Sequence, residues 1–242
     1  MDFRYPLMTM ADDIILIGDP RVFSVPVAEC GEPFVDLRGV HRRIAVDGTR
    51  RQTTGLSPYY CFVRRGVATR LSRAAESLPD DLVFLVKDAY RPAARQQEFF
   101  TYTVNQYRAL FPDLDEEALF LKASAFVAPL ETAPHPTGAA VDLTLATDDG
   151  MRLDMGSEMD ADPEIQGNRT HFAWPDCTAT QRHNRDLLSG VLLPAGLVNY
   201  PTEWWHWSYG DKYWGLLTGN PAVYSAVNEE VVRQSLAESD DP

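Results

Sequence analysis

The chain has 242 residues, 45% of them hydrophobic, and carries 22 Lys and Arg against 35 Asp and Glu, a net charge of −13. This composition supports a real core in one large domain, and the acidity argues against a nucleic-acid or anionic-membrane partner. No apolar run approaches the roughly 18–20 residues that cross a bilayer, and three widely spaced cysteines (Cys30, Cys61 and Cys177) suit neither a disulfide framework nor a cysteine-based zinc knuckle.

The opening MDFRYPLMTMADDIILIGDP has no basic start, no long apolar stretch and no small-residue cleavage site. It reads as mature protein rather than a signal peptide, and with the cysteine usage it implies a cytoplasmic location. Residues 1–60 read as irregular, with short strand-like pieces such as 13–18. Val67, Leu71, Ala74 and Leu78 recur at helical spacing and predict an amphipathic helix over 65–78, ended by Pro79 and Asp80. DLVFLV (81–86), apolar throughout after Asp81, suits a buried central strand. Pro92 fits the first turn of a following helix, where its missing N–H is harmless, and Phe100, Val104, Tyr107 and Phe111 continue one face of it. Residues 115–127 predict a further helix with acids in its first turn. The loop VAPLETAPHPTG leads into a strand, AAVDLTLA. A helix over 178–193 precedes the Trp-rich segment, read as the last strand, and a final helix is expected over 221–235. This order predicts a single α+β domain spanning 1–242, with a central, mostly antiparallel sheet flanked by helices.

Five histidines are available for chemistry. His41 and His183 lie among charged neighbours and His171 in a polar loop, ordinary settings for solvated imidazoles. His135 differs. It stands in HPTGAAVD, seven residues before Asp142, and Asp142 interrupts an otherwise apolar strand. A carboxylate there is costly to bury unless it is paired or bound to a metal. One His and one Asp make two of the three protein ligands that a catalytic zinc site takes. The segment PTEWWHW (201–207) offers His206 as the third. Glu203 lies three positions before it, and in a regular strand those two side chains would face opposite ways. Glu203 must therefore stand in a loop or at a bulge, for which Pro201 provides an entry, and would act as the base for a metal-activated water. Trp204, Trp205 and Trp207 read as packing that keeps the site dry.

HPTGAAVDLTL, DMGSEMD and EWWH, in that order and spacing, resemble the zinc D-alanyl-D-alanine dipeptidases of the vancomycin-resistance type. These belong to a wider metallopeptidase family with D,D-carboxypeptidases and L-alanyl-D-glutamate endopeptidases. The resemblance runs over about 81–215 and marks that stretch as the catalytic core. It implies one Zn2+ per chain on His135, Asp142 and His206, at a cleft or sheet edge, with Glu203 as catalytic base. It implies that Arg91 of DAYRP polarises the scissile carbonyl, a role suited to a permanently charged guanidinium. It also implies that Asp160 holds the amino terminus of a small peptide substrate, with Ser157 and Trp205 beside it. Two positions depart from the family pattern. Ala133 stands where a serine is usual, and Gly39 where a tyrosine is usual, and both usual residues grip the substrate's amino end. Two alternatives remain: a carboxypeptidase or peptidoglycan endopeptidase of the same family, and a non-catalytic zinc-containing binding module like hedgehog signalling domains. The second would need neither Glu203 nor Arg91.

Overall fold

The structure, a computed structural model, describes residues 14–49 and 57–237. A one-turn helix α1 (Pro20–Phe23) opens it, followed by β1 (Phe34–Asp36), β2 (Ile44–Val46) and β3 (Phe62–Arg64). Strands β1 and β3 pair antiparallel as a small sheet of their own. Helix α2 (Arg65–Glu76) leaves β3 directly and leads to β4 (Leu82–Asp88). Then come α3 (Ala93–Leu110), α4 (Glu116–Ala123), β5 (Ala140–Thr147), α5 (Ala179–Leu192), β6 (Val198–Asn199), β7 (His206–Ser208), α6 (Lys212–Thr218) and α7 (Glu229–Ala237). The main sheet runs β2-β4-β5-β7-β6. Only the β2–β4 pair is parallel, so the mostly antiparallel α+β reading stands.

The periodic segments became the elements they predicted. Val67, Leu71, Ala74 and Ala75 of α2 pack with Leu188, Val191 and Leu192 of α5 against Val141, Leu143 and Leu145 of β5, and this cluster is the main core. Because β5 is buried along its whole length except Thr147, its apolar run is the mark of a strand covered on both faces. Across the sheet, α3 and α4 form a second cluster through Phe100, Tyr107, Leu119 and Ala123, with Val104 and Phe111 half-buried against it. Asp115 caps α4 by accepting from the Ala118 amide, and Thr178 with Gln181 makes a reciprocal capping box at the start of α5.

Four readings need correction. Residues 14–18 form no strand: Ile14–Leu16 are irregular and Ile17 opens a turn, while position 13 lies outside the described residues. The region before position 60 is not all irregular, because it supplies β1 and β2. The Trp-rich segment is strand only over His206–Ser208. Asp211 then accepts hydrogen bonds from the Tyr213 and Trp214 amides and starts α6, which ends at Gly219. The final helix begins at Glu229 rather than 221, because Ala222 and Val223 are held extended by backbone hydrogen bonds to Pro26, Ala28, Cys30 and Gly210. Cys30, Cys61 and Cys177 are all free thiols. Among the described residues no helix is long and apolar enough to cross a membrane.

Candidate metal and active site

Three neighbouring strands bring the site together. Asp142 on β5 is paired in register with His206 on β7 and with Asp88 on β4. The β4–β5 register shifts between Val86 and Asp88, so that Asp88, not Lys87, stands opposite Asp142. A bulge of this kind re-aims side chains near functional sites. The site thus opens in a cleft at the ends of the middle strands, not along an outer strand.

His135 arrives from outside the sheet. Pro134, Pro136 and Thr137 fold around it into a single 3-10 turn that ends at Gly138, whose φ of 72° is left-handed. A Cβ at Gly138 would stand 2.3 Å from the Phe34 ring, so both the turn and the close packing require glycine. Arg64, itself buried, donates to the Thr137 carbonyl and holds the turn from behind. His135 Nδ1 lies 2.5 Å from the Ala89 carbonyl oxygen. That oxygen can only accept, so Nδ1 carries a proton and Nε2 is the nitrogen turned toward the cluster. Nε2 faces Asp142 Oδ2 at 3.3 Å. His206 Nδ1 lies 2.9 Å from Asp142 Oδ1, and the two imidazole rings meet edge to face at 5.0 Å.

One donor atom from each of His135, Asp142 and His206 lies within 4.8 Å of the others, and all three residues are buried. His41, His171 and His183 have no part in the cluster. Burial would raise the Asp142 carboxyl, but the imidazoles of His135 and then His206 outweigh it and hold it far below the usual carboxylate range.

Glu203 stands in the turn between β6 and β7, as its spacing from His206 requires. Its amide donates to the Tyr200 carbonyl, and Asn199 Nδ2 ties the Glu203 and His206 carbonyls together at 2.9 and 3.0 Å. This turn swings the carboxylate to the His206 side of the cleft, with Oε2 3.8 Å from His206 Nδ1. Burial first, then the charges of Asp142 and Asp160, push the Glu203 carboxyl well above its ordinary value, with Arg91 opposing. Arg91 lies on the same cavity. Its two terminal nitrogens donate to Asp88 at 2.8 Å and Gln96 at 3.0 Å, and each keeps a second hydrogen to offer. The carboxylates of Asp88 and Asp142 outweigh the effect of burial and keep the guanidinium charged. The buried carboxylates Asp88, Asp142 and Glu203 face one guanidinium, an excess of negative charge that a divalent cation would offset. Two imidazoles and a carboxylate, with one imidazole fixed by a carbonyl behind it, are a donor set that fits zinc.

Asp160 lines the same cavity, at a left-handed φ of 64°, and takes the Lys87 ammonium at 2.9 Å. Fully buried Arg185 on α5 holds its loop by donating to the carbonyls of Met155, Arg169, His171 and Phe172. Trp205 is buried and forms part of the wall. Ser157 does not line the cavity; its hydroxyl accepts from Trp204 Nε1 at 2.9 Å. Ala133 also lies off the cavity, buried behind the His135 turn, and Gly39 is exposed. Sequence reasoning missed Lys87, Asp88 and Gln96. Asp88 could have been found as the acid three residues before Arg91, but nothing in the local pattern announces the bulge that brings it in.

Three convergent potential metal donors, a buried carboxylate and a clamped arginine share one cleft, an arrangement suited to hydrolysis assisted by a metal ion. Residues 32–227 match the model of the peptidase M15 family, described as D-Ala-D-Ala dipeptidase. The chain belongs to that family and is a peptidase. A D-alanyl-D-alanine dipeptidase of Synechocystis sp. is 32% identical over 225 residues, covering 79% of this chain and 87% of the relative. One of Escherichia coli is 38% identical over 72 residues, 30% of this chain and 35% of that one. A solved structure of the LdcB LD-carboxypeptidase aligns over 69% of each chain at 17% identity and a TM-score of 0.36.

Proposed function

We propose that the chain is a zinc-dependent peptidase that hydrolyses D-Ala-D-Ala or a closely related short peptide containing a D-residue. The observation that carries this reading is the placement of Glu203 and Arg91 on the same cavity as the three donors His135, Asp142 and His206. A binding module would have no use for the first two. The relatives' names support the substrate.

His135 through Nε2, His206 through Nδ1 and Asp142 would hold the ion. When bound, the ion supplies Lewis acidity, which makes a water nucleophilic near neutral pH and polarises a carbonyl. Glu203 accepts the proton of the attacking water and hands it to the amine that leaves. Its raised proton affinity suits the second half of that task, and a neighbouring cation draws the value back toward neutrality for the first. Arg91, fixed by Asp88 and Gln96, presents its free hydrogens to the carbonyl oxygen as negative charge develops there. Trp205 keeps bulk water from one wall, and Asp160 faces the amino end of the substrate.

The test is hydrolysis of D-Ala-D-Ala by zinc-loaded protein, with L-Ala-L-Ala as control. Glu203→Gln is expected to lower kcat by about 10²–10⁴ while leaving metal content at one ion per chain. A wild-type protein that holds zinc and cleaves neither dipeptide would overturn the reading.

A further inference from the structure

Glu203 and His206 must reach one cleft although they stand three positions apart at the end of the β6–β7 hairpin. Strand pairing alone does not bring them there. Its register sets Val198 opposite Ser208 and Asn199 opposite Trp207, and the Tyr200 amide closes it on the His206 carbonyl at 3.1 Å. Residues 201–205 lie beyond that closure and carry Glu203. In an extended continuation the two side chains would leave on opposite faces.

Asn199 reaches across this loop from the strand. Its Nδ2 donates to the Glu203 carbonyl at 2.9 Å and to the His206 carbonyl at 3.0 Å. A carbonyl only accepts, so the nitrogen of the amide is the atom that faces the turn, and both of its hydrogens are used. Each carbonyl also has one backbone donor: the Tyr200 amide for His206, and the His206 amide at 3.2 Å for Glu203. One planar side chain thus fixes the separation of the two peptide groups that follow Glu203 and His206. The Glu203 carboxylate is buried on the same cavity as Asp142 and Asp160. Repulsion among these like charges favours any movement that carries it outward. A neutral amide clamped on the backbone opposes that movement without adding a charge to the cleft.

We infer that Asn199 is a positioning residue: its amide holds the turn so that the Glu203 carboxylate enters the cleft on the side of the His206 imidazole. Asn199 is not among the residues that line the cavity, so it acts through Glu203 and not on the substrate. This inference rests on the peptidase reading above and goes beyond it, since the three metal donors do not themselves require an amide at position 199.

The test uses Asn199→Leu, which keeps the bulk and removes both N–H groups. Each carbonyl retains its backbone donor, so the hairpin is expected to stay paired. In D-Ala-D-Ala hydrolysis, measured per bound zinc, kcat is expected to fall about 10²-fold, the scale of misplacing a reacting group by about 1 Å, with KM close to wild type. Asn199→Asp, which sets a carboxylate against the two carbonyl oxygens, is expected to lose at least as much. In a Glu203→Gln background Asn199→Leu is expected to cause no further loss, because the carboxylate it positions is already gone. Wild-type kcat in Asn199→Leu overturns the inference. So does a loss of equal size with and without the Glu203 carboxylate, or one that vanishes when activity is divided by bound zinc, since either places the effect on the fold or the metal. In all three cases hydrolysis by the wild type leaves the peptidase reading standing, whereas a zinc-loaded wild type without activity removes both.

Discussion

Glu203 is held in a place where its own charge is disfavoured. It is buried beside Asp142 and within the field of Asp160, and Arg91 opposes them. In the metal-free protein its folded-state pKa lies above the unfolded value, so over the pH range between the two the folded chain retains a proton that the unfolded chain has lost. Stability therefore falls as pH rises through that range. Glu203→Gln removes the titration while keeping size and shape. Metal-free Glu203→Gln is expected to melt above the metal-free wild type at about pH 8, with the gap narrowing toward about pH 5, close to the ordinary glutamate value. Each kcal/mol would appear as about 2–4 °C in a chain of this size. Equal melting temperatures at both pH values would show that the carboxyl is not strained. The same chemistry made the residue legible: a lone acid next to a histidine in an apolar, aromatic stretch demands an explanation. Lys87, Asp88 and Gln96 made no such demand, because a charged or amide side chain near a strand end is ordinary until a bulge turns it inward.

The turn that carries His135 does its work as a unit. Two prolines, the Thr137 hydroxyl bonded to the Pro134 carbonyl, and a left-handed glycine set the direction in which the imidazole leaves the backbone. Gly138→Ala introduces a left-handed alanine, at about 1–3 kcal/mol, and drives a methyl into Phe34. It is expected to lower the melting temperature by roughly 5 °C or more and to weaken zinc binding in a competition titration against a chelating dye. Wild-type values for both would mean that the turn tolerates the shift and does not set the metal geometry. Elements with a clear period, such as α2, α3 and α5, were readable for the same reason that they are stable: one face is apolar and buries itself. The end of the chain was misread because hydrogen-bonding partners far away in sequence decide it. Residues 222 and 223 pair with the segment around residues 26–30, and Asp211 stops the Trp-rich strand by capping a helix.

For the molecule as a whole, a metal held at these donors would be linked to the fold. The donors come from β5, β7 and the turn before β5, so an ion bound among them joins three segments, and it binds the folded chain far better than the unfolded one. Chelation is expected to lower the melting temperature by about 8–16 °C, the equivalent of about 4 kcal/mol when free zinc stands near a thousand times its dissociation constant, and added zinc is expected to restore it. Acid should act in the same direction, because Asp142 must be ionised and both imidazoles neutral to bind. A melting temperature indifferent to chelator would show that no ion is held at these donors.

Residue chemistry alone named His135, Asp142, His206 and Glu203, because a buried charge or an isolated histidine in apolar surroundings has few uses. Motif resemblance added Arg91, Asp160, Trp205 and Ser157. The structure lines one cavity with the first three of these and turns Ser157 toward Trp204. Folding alone settled that Asp88 clamps Arg91, that Lys87 sits on Asp160, and that the cavity runs on along α3. Local pattern records how a segment buries its own apolar face. It does not record a one-residue shift between β4 and β5, or the distance between a helix and a loop more than fifty residues away, and those two features shape the cavity.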